Sequence, residues 1–459
     1  MQPPKIGLEI HGYLNMQETK QKLFCLDRID QTAQPNTNIC PICTSQPGCK
    51  PMLPNKEAVD KIIAIASMIG CKINKRLLFQ RKHYSWPDLP AGYQRTISGA
   101  YSTPVGQTGS FFNIGITECH LEEDPAKWDP STGTIDYNRS GYPLVEIVTD
   151  PDFTSSDQVR EWLKKLMTIL SYIKAIDKEA GIKADVNVSI YPEYQRVEIK
   201  NVNSFKSIVN AIEYEIQRQK TAQENKEKIG NETRAWDDTK GITIKMRSKE
   251  TQADYMFIPE PDLPSINLEK EYIENITKIL PEKPAEKIKK FIKKGISQID
   301  AEIMASEIIL AELFEKITKE INPLLAAKWL RRELMRVVHY NKLELDDIKI
   351  DEKHLIQLLK LIETNKITDT TAQKILEKLI IKPFDVNDYV KKQGISKVEK
   401  TSDLEDFCKQ AIKENQQAVE DYKSGEDKAL HFIVGQVMRK TKGTAEPEVV
   451  RLLILKLMK

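Results

Sequence analysis

The hexapeptide Pro259-Glu260-Pro261-Asp262-Leu263-Pro264 splits the chain into two textures. Its three prolines remove backbone donors and fix φ, so neither a helix nor a central strand runs through it. Ahead of it, several segments alternate apolar and polar residues with the two-residue period of strands. Beyond it, residues 267–379 are rich in Lys, Glu, Ile and Leu at helical spacing, with almost no strand signal. A further helical unit runs over residues 403–459, where Gly435, Gly443 and Pro447 separate the helices. A chain of 459 residues exceeds what one hydrophobic core organises, so two or three domains are expected. The fold class is α+β: a strand-rich N-terminal domain with an antiparallel sheet, then an all-helical domain and a small helical tail.

Within the first domain the alternation also sorts chemistry. Near the N-terminus Ile6, Leu8 and Ile10 share one strand face while Glu9 and His11 share the other, a spacing that a strand can offer to a divalent ion. Residues 184–190 and 197–200 flank Tyr191-Pro192-Glu193-Tyr194 and read as an antiparallel hairpin, with Asp185, Asn187, Glu198 and Lys200 on its polar face. Residues 242–247 alternate again. Helices are expected at 58–69, after the cap Thr154-Ser155-Ser156-Asp157, and after Asn203-Ser204, where Ile208, Val209, Ile212 and Ile216 form a stripe.

The run Glu118-Cys119-His120-Leu121-Glu122-Glu123-Asp124 brings three adjacent acids behind a histidine. Like charges this close repel, and a fold that gathers them gains only if a cation or donor groups sit between them, which points to a metal site. In extended backbone His120, Glu122 and Asp124 share one face, and Leu121 and Glu123 the other. Seven cysteines, an odd number clustered toward the N-terminus, suit a reducing compartment and a metal better than disulfides. Cys40-Pro41-Ile42-Cys43 is a thiolate knuckle with zinc spacing, and Cys25 with either Cys49 or Asp27 would complete four ligands. Arg81 and Lys82 stand ready for phosphate. Arg439-Lys440-Thr441-Lys442-Gly443 reads either as a contact to a phosphate backbone or as favourable cations at a helix C-terminus. A net charge of +2 gives no global basic surface, so any nucleic-acid contact is local. No apolar run reaches the length of a membrane span and no signal-peptide core follows Met1, so a cytoplasmic protein without a membrane role is expected.

Taken in order, the motifs resemble one family from end to end, the B subunits of the tRNA-dependent amidotransferases. They are Gly7-Leu8-Glu9-Ile10-His11, Lys22-Leu23-Phe24-Cys25, Tyr84-Ser85-Trp86-Pro87-Asp88-Leu89-Pro90, His120-Leu121-Glu122-Glu123-Asp124 and Asn138-Arg139-Ser140-Gly141. Further along come Leu144-Val145-Glu146-Ile147-Val148, Asp185-Val186-Asn187-Val188-Ser189, Glu198-Ile199-Lys200-Asn201-Val202-Asn203-Ser204-Phe205, Met246-Arg247-Ser248-Lys249-Glu250, the proline hexapeptide and Ala418-Val419-Glu420-Asp421-Tyr422. The resemblance implies a catalytic cradle domain with a kinase site and zinc knuckle at 1–264, a helical domain at 265–397 and a tRNA-binding tail at 398–459. It also implies a reaction. The side-chain carboxylate of a misacylated Glu-tRNA(Gln) or Asp-tRNA(Asn) is phosphorylated with ATP, and ammonia from a glutaminase (A) subunit displaces the phosphate in a complex that includes a small C subunit.

Carried over by motif, Glu9, His11, Glu123 and Glu146 form the implied Mg²⁺ set; strand alternation alone favours Glu122 over Glu123, and the family pattern favours the second glutamate. Lys82, Arg139, Lys200 and Arg247 are the implied contacts to ATP or acyl phosphate, with Asp185 and Asn187 lining the same cradle. Glu123, Glu146, Lys82 and Arg139 make up the catalytic group. The implied Zn²⁺ site uses Cys25, Cys40 and Cys43. Many relatives carry Cys-x-Cys where this chain has Cys25-Leu26-Asp27, which leaves the fourth ligand open, with Cys49 as a candidate. No amidase signature is present, so ammonia has to come from a partner. The competing reading is a non-catalytic tRNA-binding scaffold in which the acids only brace the fold.

Overall fold

The computed structural model describes residues 2–84, 86–177, 180–248, 256–395, 401–441, 445 and 447–458. It divides into two compact units, Met1–Lys283 and Pro284–Lys459. The first unit begins with β1 (Lys5–Tyr13), α1 (Lys56–Met68), β2 (Lys72–Ile73), β3 (Arg76–Leu77), β4 (Gln80–His83) and β5 (Tyr93–Thr96). Next come β6 (Gly106–Phe111), β7 (Ile114–Glu123), β8 (Lys127–Asp129), β9 (Thr134–Asp136), β10 (Pro143–Thr149) and α2 (Ser156–Tyr172). It closes with β11 (Ile182–Ser189), β12 (Val197–Val202), α3 (Phe205–Glu224), β13 (Glu232–Asp237), β14 (Ile242–Ser248), β15 (Met256–Pro259), β16 (Ile266–Asn267) and α4 (Lys270–Lys278).

The main sheet runs in the order β14-β13-β12-β11-β1-β10-β7-β5-β4-β15, with β6 also paired to β7. The expected hairpin is present as the antiparallel pair β11–β12. One pair departs from the expected antiparallel pattern: β12 and β13 are parallel, because α3 lies between them and returns the chain to the same end of the sheet. Strands β14 and β15 lie at opposite ends of this order, yet they are close in sequence. A flat sheet of this order would be about 43 Å wide, whereas the chain between Ser248 and Met256 reaches at most about 28 Å. The sheet therefore curls, and its concave face is available for a site.

The convex face holds the core. Ile6, Leu8 and Ile10 of β1, Cys119 and Leu121 of β7, and Val186 of β11 pack in one cluster with Ile62 and Ile63 of α1 and Trp162, Leu163 and Leu166 of α2. Each such large apolar side chain contributes roughly 1.5–3 kcal/mol on burial. Asn55, Ser155 and Ser204 cap the three helices by accepting from backbone N–H groups of their first turns. The alternation at 242–247 forms β14, but Ile244 and Met246 face outward, 43% and 52% exposed. Thr243 faces inward, because the interior there is polar: the fully buried Glu215 accepts from Thr243 Oγ1 at 2.9 Å and pairs with Arg218.

A first domain ending at 264 is shorter than the first compact unit. Past the prolines, β16 pairs with β3, and α4 sets Tyr272, Ile273 and Ile276 against the first core, with Tyr272 donating to Asp60. The second unit is helical and contains two separate buried clusters, one spanning residues 291–390 and one spanning 404–454. Arg439 and Lys440 occupy the last turn of the helix Asp427–Lys440, and Lys440 pairs with Glu414. Lys442 and Gly443 lie outside the described residues. Among the described residues, no helix is long and apolar enough to cross a membrane.

Candidate active site and metal centres

Three neighbouring strands build the first cluster. Register pairs His11 of β1 with Glu146 of β10, and Glu146 with His120 of β7, so the three side chains stand side by side on the concave face. Glu122, two residues past His120, shares that face. His11 Nδ1 lies 3.7 Å from Glu146 Oε2 and 3.8 Å from Glu122 Oε1, and donor atoms of His11, Glu122 and Glu146 all fall within 4.8 Å of one another. His120 Nε2 lies 3.2 Å from Glu146 Oε2, while its Nδ1 is buried without a hydrogen-bond partner. Burial would lower the His120 imidazolium, but Glu146, Glu118 and Glu122 outweigh it and raise it to about 9. Burial and the Glu146 charge push the Glu122 carboxyl up. Glu146 goes the other way: burial opposes its charge, yet His120, His11 and Lys82 hold it well below the usual range. One imidazole and two crowded carboxylates suit a divalent cation that keeps several waters.

Glu123 does not join them. Alternation turns it to the opposite face, where Arg95 holds it: the backbone N–H donates at 2.9 Å and Nη1 at 3.1 and 3.2 Å. Arg95 also reaches Glu260 of the proline hexapeptide, 3.2 Å from its Nε, and Arg81 clasps the same carboxylate at 2.7 and 2.9 Å. The structure thus groups Glu122, and not Glu123, with His11 and Glu146, while Glu123 and Arg81 are held in pairs with Arg95 and Glu260. Arg139 is similarly committed, with Nε 2.8 Å from Asp124 Oδ2 and bonds to the carbonyls of Pro125 and Ala126. Tyr13 donates to the same Asp124 at 2.8 Å. Arg139 therefore braces the end of β7 instead of lining the cavity.

A second acidic cluster lies beside the first. Glu9, Asp185 and Glu198 bring carboxylate oxygens within 4.8 Å of one another, through the pairings β1–β11 and β11–β12. Lys200 Nζ bridges Asp185 at 2.7 Å and Glu198 at 2.9 Å; burial would lower its ammonium, but these two carboxylates hold it well up. Asn187 donates to Glu9 at 3.1 Å and Arg196 lies 3.0 Å from it. Burial first, then Glu146, Glu198 and Asp185, push Glu9 up. A cavity of about 370 Å³ takes in His11, Glu122 and Glu146 together with Glu9 and Asp185, with Lys82, Lys183 and Lys200 on its wall. A neighbouring cavity of about 470 Å³, lined by Lys5, Tyr194 and Arg196, shares Glu9 and lies against Asn187. The side chain of Arg247 lies outside the described residues. Sequence reasoning gave neither Lys183 nor Glu198 a site role; strand register brings Lys183 to the cavity and Glu198 beside Glu9 and Asp185.

The cysteine loop forms a separate centre. Cys25, Asp27, Cys40 and Cys43 offer donor atoms within 4.8 Å of one another. Asp27 Oδ2 lies 3.1 Å from Cys43 Sγ and 3.6 Å from Cys25 Sγ. The hydrogen bond from Cys25 outweighs burial and pushes the Cys43 thiol down to about 6. Three sulfurs and a carboxylate fit a tetrahedral cation such as zinc. Cys49 is exposed and stands outside this group, so of the two candidates for the fourth position, Asp27 and Cys49, the structure brings Asp27 to the cysteines.

Comparison with known proteins follows the same division of the chain. A family described as the GatB/GatE catalytic domain matches residues 4–274, and one described as the GatB domain matches residues 312–458. The aspartyl/glutamyl-tRNA(Asn/Gln) amidotransferase B subunit of Methanococcus maripaludis strain C5 is 44% identical over 97% of this chain and 96% of its own length. Its counterparts in Methanocaldococcus jannaschii and Methanothermobacter thermautotrophicus are each 43% identical over 97% of this chain, covering 95% and 98% of their own lengths. On that end-to-end similarity, the chain belongs to the family of aspartyl/glutamyl-tRNA(Asn/Gln) amidotransferase B subunits.

Proposed function

We propose that this chain is the carboxylate-activating subunit of a tRNA-dependent amidotransferase, a carbon–nitrogen ligase working in the cytoplasm within a multi-subunit complex. The side-chain carboxylate of Glu on tRNA(Gln), or of Asp on tRNA(Asn), enters the cavity beside His11, Glu122 and Glu146. Its oxygen attacks the γ-phosphorus of ATP; that P–O bond forms as the bond to the ADP oxygen breaks. Ammonia, released by a glutaminase (A) subunit, then forms the C–N bond while the C–O bond to phosphate breaks, and inorganic phosphate leaves with the proton that ammonia loses. Two anions have to meet in this step, so cations are required. His11, Glu122 and Glu146, with Glu9, Asp185 and Glu198 beside them, would hold Mg²⁺, which when bound would supply positive charge to the transferred phosphoryl group. Lys82 and Lys183 add cationic charge on the cavity wall, and Lys200 orients Asp185 and Glu198.

The Zn²⁺ centre at Cys25, Asp27, Cys40 and Cys43 is structural in this reading. The small C subunit completes the complex, and residues 265–397 and 398–459, following the catalytic 1–264 in sequence, serve as helical and tRNA-contacting domains. The observation that carries the proposal is the meeting of His11, Glu122 and Glu146 with Glu9, Asp185 and three lysines in one cavity. It is tested by measuring ATP hydrolysis by the assembled complex, with and without misacylated tRNA and Mg²⁺, for the wild type and Glu146→Gln. Hydrolysis that needs both ligands and is lost in the variant supports the kinase site. Normal hydrolysis in the variant leaves only a tRNA-binding scaffold.

A further inference from the structure

A lysine lies fully inside the structure at the cysteine loop. Lys22 is 0% exposed, and its Nζ donates to Asn38 O at 2.9 Å, to Cys43 Sγ at 3.3 Å and to Tyr137 O at 3.3 Å. An ammonium withdrawn from water is costly unless each proton finds an acceptor, and these three contacts supply one for each. Three thiolates and a carboxylate around a dication leave two excess negative charges, so a buried cation hydrogen-bonded to one sulfur is electrostatically matched to the loaded centre.

The same ammonium joins two segments distant in sequence. On one side is the knuckle, through Cys43 and Asn38. On the other is the turn from Tyr137 to Tyr142, through the Tyr137 carbonyl. Ser140 Oγ donates to the Cys43 carbonyl at 2.9 Å, and Asn38 N donates to Asn138 Oδ1 at 2.9 Å. Gly141, at φ +82°, passes over the lysine stem; a Cβ built there would stand 3.8 Å from both Lys22 Cδ and Cys43 Cβ. From this turn Gly141 N donates to Asp124 O at 2.9 Å, and Arg139 grips the Asp124 carboxylate. Asp124 directly follows the strand that carries His120 and Glu122.

We propose that Lys22 is a positioning residue that ties metal loading of the Cys25–Asp27–Cys40–Cys43 knuckle to the order of the 137–142 turn, and through it to the end of the catalytic strand. This rests on reading the knuckle as a metal centre. With metal bound, Cys43 is held as a thiolate facing the ammonium, and the turn is clamped. Without it, the sulfur loses its fixed place, the ammonium loses an acceptor and the turn loosens.

The test uses the full chain with Zn²⁺ as the probe. Zinc affinity is measured by competition with a chromophoric chelator, and amide hydrogen exchange is followed across 137–142 in zinc-loaded and chelated protein. The amides of Ser140, Gly141 and Tyr142 report, because each donates to a backbone carbonyl. Chelation is expected to speed their exchange about tenfold, and Lys22→Met to weaken zinc binding about tenfold or more. The variant should also exchange fast at the turn even when saturated with zinc, and Lys22→Arg should restore part of both effects. A wild type that binds no zinc overturns the metal reading and this inference with it. A wild type that binds zinc while its turn ignores chelation overturns the coupling alone. Zinc-loaded Lys22→Met with wild-type exchange removes Lys22 as the link. Should Lys22→Met fail to fold, Cys43→Ser decides, since it removes the sulfur that Lys22 holds: a turn as protected as in the loaded wild type overturns the proposal.

Discussion

Glu122→Gln and Glu123→Gln change adjacent residues by the same single atom, and the structure assigns them opposite consequences. Glu122 faces the cavity, with Oε1 3.8 Å from His11 Nδ1. The amide keeps its shape but removes a charge from the cation-binding set. Losing one electrostatic group of this kind costs about 10²–10³ in rate, or about 2.7–4 kcal/mol. Glu123 instead accepts from the backbone and guanidinium of Arg95. Weakening charge-assisted bonds costs about 1.5–3 kcal/mol of stability. The low end applies, because Arg95 keeps Glu260 at 3.2 Å and the Tyr93 hydroxyl at 3.1 Å. The assay pairs tRNA-dependent ATP turnover of the complex, titrated with Mg²⁺, with urea unfolding of the full chain. Glu122→Gln should need more Mg²⁺ and turn over slowly at unchanged stability, and Glu123→Gln should unfold at lower urea with near-normal turnover. The reverse outcome, a stable but inactive Glu123→Gln beside a normal Glu122→Gln, would refute the face assignment.

Glu57, 7% exposed at its side chain, accepts from the backbone of Glu18 and Thr19 and from the Thr19 hydroxyl. Burial opposes its charge, but these bonds and Lys61 hold its carboxyl below the usual range. Its folded value is the lower one, so its stabilisation is complete above the unfolded value near 4.5 and disappears as pH falls through the folded value. The stability gap between the wild type and Glu57→Gln, read by urea titration, should therefore narrow on acidification; a gap that widens contradicts this. Glu260→Ala strips a fully buried carboxylate from Arg81 and Arg95 and should cost about 3 kcal/mol, the low end for a broken buried pair because Arg81 keeps Asp262 at 2.9 Å. A loss below about 1 kcal/mol, a surface-substitution value, would show that the clasp is not structural. Asp27→Cys should tighten zinc binding and Asp27→Ala weaken it, as competition with a chelator reads; unchanged affinity in both places the fourth ligand elsewhere.

Several features are legible in the residues alone, because they depend on neighbours a few positions apart. The alternation of Ile6, Leu8 and Ile10 against Glu9 and His11 follows from strand geometry, and Ser155 and Ser204 announce their helices by capping chemistry. The Cys40–Cys43 spacing marks the knuckle in the same way. Other placements are decided by partners remote in sequence. Arg139, assigned to phosphate by its motif, is held by Asp124; Cys49, near the other cysteines in sequence, stands outside the cluster that Asp27 enters. At β14, Thr243 rather than Ile244 turns inward, because the buried Glu215 on α3 awaits its hydroxyl.

By itself the sequence determined the elements, the family and the kinds of side chain available for phosphoryl transfer, since covalent geometry and local spacing act within a strand or a turn. Only the tertiary structure decided which acids face one another. His11, Glu146 and His120 meet through the register of β1, β10 and β7, which are far apart along the chain. Side chains alternate at every residue, so a slip of one in the β7–β10 pairing would exchange Glu122 for Glu123 on the cavity face. Burial of Cys119 and Leu121 on the other face prevents that slip. The composition of the His11–Glu122–Glu146 cluster is thus set by the hydrophobic core beneath it.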